Sequence, residues 1–227
     1  MAAPAGGQPL TPTLTDQPSD AERVRRAAVT LAALAQDGLE FSPSDFDSDR
    51  YREIQSVATE LLSVLSGDPG EQFRLELDRD IGYATPKVDV RGGLVDDTGR
   101  LLLMRERSDG LWSLPGGWAD PGDRPSVAVV REIREETGYG ARAVKLVACL
   151  DRDTQGHQPP LPVAVYKLFF LCQATGQVAA PDELETLAIG WFGIDELPPL
   201  SAGRVNRAEL ELVLAHAADP SLPTVFD

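Results

Sequence analysis

Residues 116–138 constrain this chain more than any other stretch. Gly116-Gly117-Trp118-Ala119-Asp120-Pro121-Gly122-Asp123 comes first, and Arg131-Glu132-Ile133-Arg134-Glu135-Glu136-Thr137-Gly138 closes the segment. Pro125 suits a first helical turn, where its missing N–H is not needed, and Gly138 suits a C-terminal stop. Val127, Val130, Ile133 and Thr137 recur at helical spacing and predict the apolar stripe of a short helix. Glu132, Glu135 and Glu136 stand at i, i+3 and i+4 and are predicted to share the opposite face. Carboxylates so placed repel one another unless a positive group sits among them. Clustered carboxylate oxygens are what Mg²⁺ and Mn²⁺ prefer. The competing reading is a solvated acidic face interleaved with Arg131 and Arg134.

The loop before the helix favours the first reading, because glycines let a backbone turn tightly and approach a ligand closely. Loop and helix together resemble the Nudix box, G-x5-E-x7-R-E-U-x-E-E-x-G-U, where U is a bulky aliphatic residue. Gly117, Arg131, Glu132, Ile133, Glu135, Glu136 and Gly138 match in register. Asp123 stands where the family has Glu, with the same charge on a shorter arm. Tyr139 stands where the family has an aliphatic residue.

The net charge of −15 argues against a basic nucleic-acid-binding surface. The polyphosphate substrates that the Nudix resemblance implies would then be held only through metal ions and locally placed arginines. An apolar content of 42% suffices for a core. Cys149 and Cys172 lie in apolar strand-like runs and read as buried free thiols. No basic start with an apolar run, and no stretch long enough to cross a bilayer, is visible, so a cytoplasmic location is expected.

Composition divides the chain into a disordered tail (1–18), an N-terminal helical hairpin (19–66), a linker (67–86), a catalytic domain (87–218) and a closing tail (219–227). The first helix is expected to end at Gly38 and the second to run over 48–65, with Phe41 and Phe46 as aromatic plugs between them. Their apolar stripes need either the catalytic domain or a second copy as cover. Strands are expected around 88–95, 101–104, 143–150, 161–172 and 188–192, with a closing helix over 204–216. Strands mixed with a few helices indicate an α+β fold. The resemblance sharpens this to a Nudix α/β/α sandwich with a mixed sheet, preceded by a small helical unit.

The resemblance extends to the run from Thr85 to Gly92, the lead-in from Arg105 to Pro115, and Asp151-Arg152-Asp153. With the helical pair these resemble a Nudix subfamily of hydrolases of X-linked nucleoside diphosphates, similar to ADP-ribose and CDP-choline pyrophosphatases. It implies cleavage of a P–O–P bridge with Mg²⁺ or Mn²⁺. The metal-binding acids it implies are Glu132, Glu135 and Glu136, joined by the Gly116 carbonyl. Arg131 is expected to pin the loop through a carboxylate such as Asp123. The general base is either a box glutamate or an acid on a later loop, Glu183 or Glu185, with Glu185 preferred.

Arg91, Arg105 and Arg152 are the candidate phosphate grips, against a reading as ordinary salt bridges. Trp118 is a candidate for stacking on a base, whereas Trp112 reads as core. The loop 153–162 is a candidate cover for X. His157 reads as a surface histidine, and nothing is assigned to His216. A (d)NTP pyrophosphohydrolase and a non-catalytic nucleotide-binding regulator are the alternatives. A homodimer through the N-terminal helices is expected.

Overall fold

The computed structural model describes residues 19–42, 44–67, 77, 82–177 and 179–227. The expected tail 1–18 and most of the linker 67–86 lie outside them. Two helices come first, α1 (Asp20–Phe41) and α2 (Asp45–Ser66). Ser19 and Ser44 cap them by accepting the N–H groups of Glu22 and Asp47. α1 runs past Gly38, which packs against α2: a Cβ there would lie 2.3 Å from the Tyr51 ring. Phe41 and Phe46 are not plugs but solvent-facing, at 65% and 67% exposure.

The hairpin core is thin and rich in alanine, with Ala28, Ala32, Ala35, Ala58 and Leu62 buried. The hairpin docks on its own catalytic unit. Leu77 and Val163 pack onto Ala32 and Ala58. Gln36 donates to the Gly82 carbonyl at 3.0 Å, and Asp37 accepts the Ala84 N–H at 2.7 Å.

The catalytic unit contains β1 (Lys87–Leu94), β2 (Leu101–Glu106), β3 (Trp112–Ser113), α3 (Pro125–Thr137), β4 (Tyr139–Asp151), β5 (Val165–Gln177), β6 (Thr186–Phe192), α4 (Arg207–Ala218) and β7 (Val225–Phe226). One sheet has the order β1-β5-β4-β7, with β1 parallel to β5 and β4 antiparallel to it. The other is antiparallel, in the order β3-β2-β6. The segment 219–227 is not wholly a tail, because Val225 and Phe226 pair with Ala148 and Cys149 and extend the first sheet.

Period-two alternation along β2 decides the layering. Leu101 and Leu103 face the core beneath α4, with Leu210 and Val213, whereas Leu102 faces the core beneath α3, with Val129 and Ile133. Sheets between α3 and α4 form the expected α/β/α sandwich. Cys172 is buried, Cys149 is half-buried, and both thiols are free.

Candidate active site

The loop that leads into α3 is held along β1 by backbone bonds. Val90 donates to the Gly117 carbonyl at 2.8 Å, Gly92 to Pro115 at 2.8 Å, and Ala119 to Val88 at 2.9 Å. So close an approach requires glycine at 116. Its φ is +144°, and a Cβ would fall 1.9 Å from the Val90 carbonyl oxygen. The Gly116 N–H donates to Glu136 Oε2 at 2.7 Å, so the loop and the helix fix each other. Gly138 ends α3 with φ +72°.

The buried face of α3 differs from the expected stripe. Ala128, Val129, Ile133 and Thr137 are buried, while Val127 is 53% exposed. This rotation carries Glu132 and Glu136 inward and leaves the Glu135 side chain 53% exposed. The three glutamates therefore do not share one environment. Among the described residues no three His, Cys, Asp or Glu side chains already converge on one point.

Glu132 and Glu136 line a cleft of about 760 Å³. Burial pushes the Glu136 carboxyl up to about 8, against partial compensation from Arg91 and the Gly116 N–H. Burial also raises Glu132, opposed by Arg131 and reinforced by Glu135. Glu136, only partly compensated, and Glu132, which shares Arg131 with three other carboxylates, are hard oxygen donors that fit a divalent cation. Glu135 lies beside them with one oxygen 3.2 Å from Arg131.

Arg131 is the clamp of the loop. Its guanidinium reaches Asp120 at 3.2 Å, Asp123 at 3.4 Å, Glu132 at 2.9 Å and Glu135 at 3.2 Å. The shorter Asp123 arm still reaches it, at the longest of those distances. Tyr139 packs edge-on against Trp191, with ring centroids 5.9 Å apart. Glu185 lines the cleft from the turn before β6; Glu183 offers its carbonyl to Arg107 at 2.5 Å instead.

The candidate phosphate grips separate. Arg105 binds the Gly110 carbonyl at 2.7 Å and is not among the residues that line the cleft. Arg91 lines it, but is paired with buried Asp89 at 2.8 Å and donates to the Leu114 carbonyl at 3.2 Å. Arg152 lines it while 3% exposed, and its Nη2 donates to the Pro159 carbonyl at 2.7 Å. Burial lowers the Arg152 pKa, and its Nε and Nη1 have no hydrogen-bond partner.

Trp118 lies at the rim, 52% exposed, while Trp112 packs edge-on against Phe192 at 4.8 Å. The loop 153–162 contributes Pro159 and Leu161 to the lining. His157 is buried rather than superficial, with its ring nitrogens 2.9 Å from the Ala202 carbonyl and 2.8 Å from Glu209. His216 is buried too, and its Nδ1 has no partner.

Sequence reading missed Asp89, Lys167 and Glu106. Lys167 donates to Asp89 at 2.6 Å and to the Arg204 carbonyl at 2.7 Å while 1% exposed. Glu106 accepts from Ser113 at 2.7 Å and pairs with Arg204 at 3.0 Å. One signal was present: Lys167 is a lone charge inside an apolar strand run. A charge there must find a partner or a ligand.

Comparison with known proteins agrees with this geometry. Residues 85–212 match the NUDIX domain family, and residues 22–75 match a family described as a UDP-X-like, N-terminal oligomerisation domain. A Bacillus subtilis (strain 168) protein named "Putative ADP-ribose pyrophosphatase YjhB" is 38% identical over 207 residues, covering 91% of this chain and 96% of its own. The crystal structure of an ADP-ribose pyrophosphatase from Streptococcus suis 89-1591 is similar with a TM-score of 0.57 and 38% identity. It covers 63% of this chain and 100% of its own. That of a UDP-X diphosphatase has a TM-score of 0.56 and 29% identity over 91% of this chain and 99% of its own. A domain match over more than half the length and a full-length relative at this identity place the chain in the Nudix hydrolase family.

Proposed function

We propose that this chain hydrolyses the P–O–P bridge of nucleoside diphosphates linked to a group X. The substrates are of the ADP-ribose, CDP-choline or sugar-nucleotide type, and the products are a nucleoside monophosphate and phospho-X. The observation that carries the proposal is one cleft lined by the buried Glu132 and Glu136 together with Arg91, Arg152 and Lys167. The relatives named for ADP-ribose and UDP-X substrates support the same class.

Glu132 and Glu136, with Glu135 beside them, would hold Mg²⁺ or Mn²⁺, and the Gly116 carbonyl is a further candidate. When bound, such a cation lowers the pKa of water and neutralises phosphate charge. Arg131 keeps the loop and the carboxylates in register. Glu132 and Glu185 are the candidates to take the proton of the attacking water, and both line the cleft. Trp118 offers a half-exposed ring to the base, and Pro159 and Leu161 face X. Arg91 orients Asp89 and Lys167 rather than acting as a free grip.

A panel of ADP-ribose, CDP-choline, UDP-sugars and dNTPs, assayed with Mg²⁺ or Mn²⁺ in ¹⁸O water, tests this. Nucleoside monophosphate and phospho-X should appear, with one of them labelled. If dNTPs were the best substrates, the house-cleaning pyrophosphohydrolase would replace this reading; no turnover with any would revive the binding regulator.

The chain also assembles as a homodimer through the hairpin in this proposal. The N-terminal family description supports it, as do Leu34, Phe41 and Val64, which are 57%, 65% and 77% exposed. Val64→Glu should shift the mass in solution to that of one chain. Among the described residues no helix is long and apolar enough to cross a membrane, and a cytoplasmic location is proposed on that basis.

A further inference from the structure

We infer that Arg25 of α1 is a positioning residue that leaves Arg152 free to take an anionic oxygen of the substrate. The inference deepens the proposed function of the same cleft and rests on it. It starts from Asp153, in the turn Arg152–Gln155 that follows β4. Asp153 lies between two arginines, and its carboxylate is 91% buried. Arg25 Nη2 reaches Asp153 Oδ2 at 2.6 Å, whereas Arg152 Nη1 is 3.9 Å from Oδ1. Arg25 is itself 5% exposed and held by Glu22 one turn earlier, at 3.0 and 3.1 Å.

The nearest carboxylate to Arg152 is thus committed to a cation from the other structural unit. Arg152 keeps one hydrogen bond, to the Pro159 carbonyl, and two nitrogens without partners. A buried guanidinium with donors in reserve is costly unless a ligand satisfies it. It lies at the wall of the cleft that holds Glu132 and Glu136. A diphosphate oxygen entering that cleft engages it directly or through one water. Without Arg25, Asp153 turns to Arg152 and neutralises it. The hairpin therefore sets the affinity of a site to which it contributes no lining residue among those described.

The probe is inorganic pyrophosphate, titrated calorimetrically into the full chain at one fixed Mg²⁺ concentration. Arg25→Met should weaken binding about tenfold, the worth of one charge-assisted hydrogen bond. Adding Asp153→Asn to that variant removes the competing charge and should restore affinity to within about twofold. For whichever nucleoside diphosphate is turned over, KM should follow the same loss and rescue while kcat stays nearly constant. A purely structural role for Arg25 predicts that the two substitutions move the unfolding midpoint, and kcat with KM, rather than pyrophosphate affinity and KM alone. Unchanged affinity in Arg25→Met, or a loss that Asp153→Asn does not repair, would overturn the inference. If Arg25→Met does not fold, Arg25→Gln carries the same expectations. Pyrophosphate binding that follows the pattern in a chain that cleaves no nucleotide would sink the hydrolase reading and leave this one standing.

Discussion

Asp89 and Glu136 line one cleft, each 5% exposed, and burial acts on them with opposite outcomes. Burial alone would raise Asp89, but Arg91 and Lys167 outweigh it and hold the carboxyl below its usual range. Glu136 receives one backbone N–H and the more distant charge of Arg91, so burial wins and pushes it up to about 8. Equal burial therefore does not predict ionisation; the partners do. The Asp89 carboxylate is compensated by the protein alone, whereas the Glu136 carboxylate is left electrostatically unfinished and suited to a cation.

The comparison breaks most forcefully at Asp89. Asp89→Ala leaves Arg91 and Lys167 buried without their shared carboxylate and should cost about 3–5 kcal/mol in chemical denaturation. A loss below about 1 kcal/mol would mean that the cleft does not depend on that ion pair. Next comes Glu132→Gln, which should lower kcat by ~10²-fold or more, near 2.7 kcal/mol, with the fold intact. Activity within threefold of the parent would remove Glu132 from the chemistry.

The third prediction concerns pH. Glu136 ionises near 4.5 in the unfolded chain and at about 8 in the fold. The fold binds the extra proton between those values, so stability is highest below the window and falls as pH rises through it. Metal-free protein should lose about 3–4 kcal/mol between pH 5 and pH 8, and Glu136→Gln should flatten that slope. Mg²⁺ should recover the loss at pH 8 in the parent and not in the variant. A flat metal-free profile would show Glu136 to be compensated like Asp89. The smallest effect is at the rim of the cleft. Trp118→Ala should raise KM for an adenine- or uracil-containing substrate by about tenfold with stability unchanged, as expected for one lost base stack.

The box and its termini were legible because local rules set them. Pro125 and Gly138 bound α3 as expected, and the apolar run Leu101–Met104 forms a buried strand as expected, its two faces shared between two cores. The rotation of α3 was not legible. Val127 and Val130 are apolar and correctly spaced, yet the gap beneath the helix admits Ala128 and Val129 beside Ile133. Arg105 and Arg152 looked alike in the sequence. Gly110 takes up one, and burial between α1 and the cleft leaves the other with free donors. His157 gave no local signal, because its partners are 45 and 52 residues away.

From order and spacing alone came the acidic helix, the glycine loop before it and the helical pair; the expectation of phosphate chemistry came from their resemblance to the Nudix box. Those features depend on contacts within a few residues, where backbone geometry restricts the outcome. Tertiary structure alone decided which glutamate faces inward, which arginine is neutralised and how Asp153 connects the hairpin to the cleft. Ionisation and pairing depend on distances between segments far apart in the chain, and those distances exist only once the sheets and helices have packed.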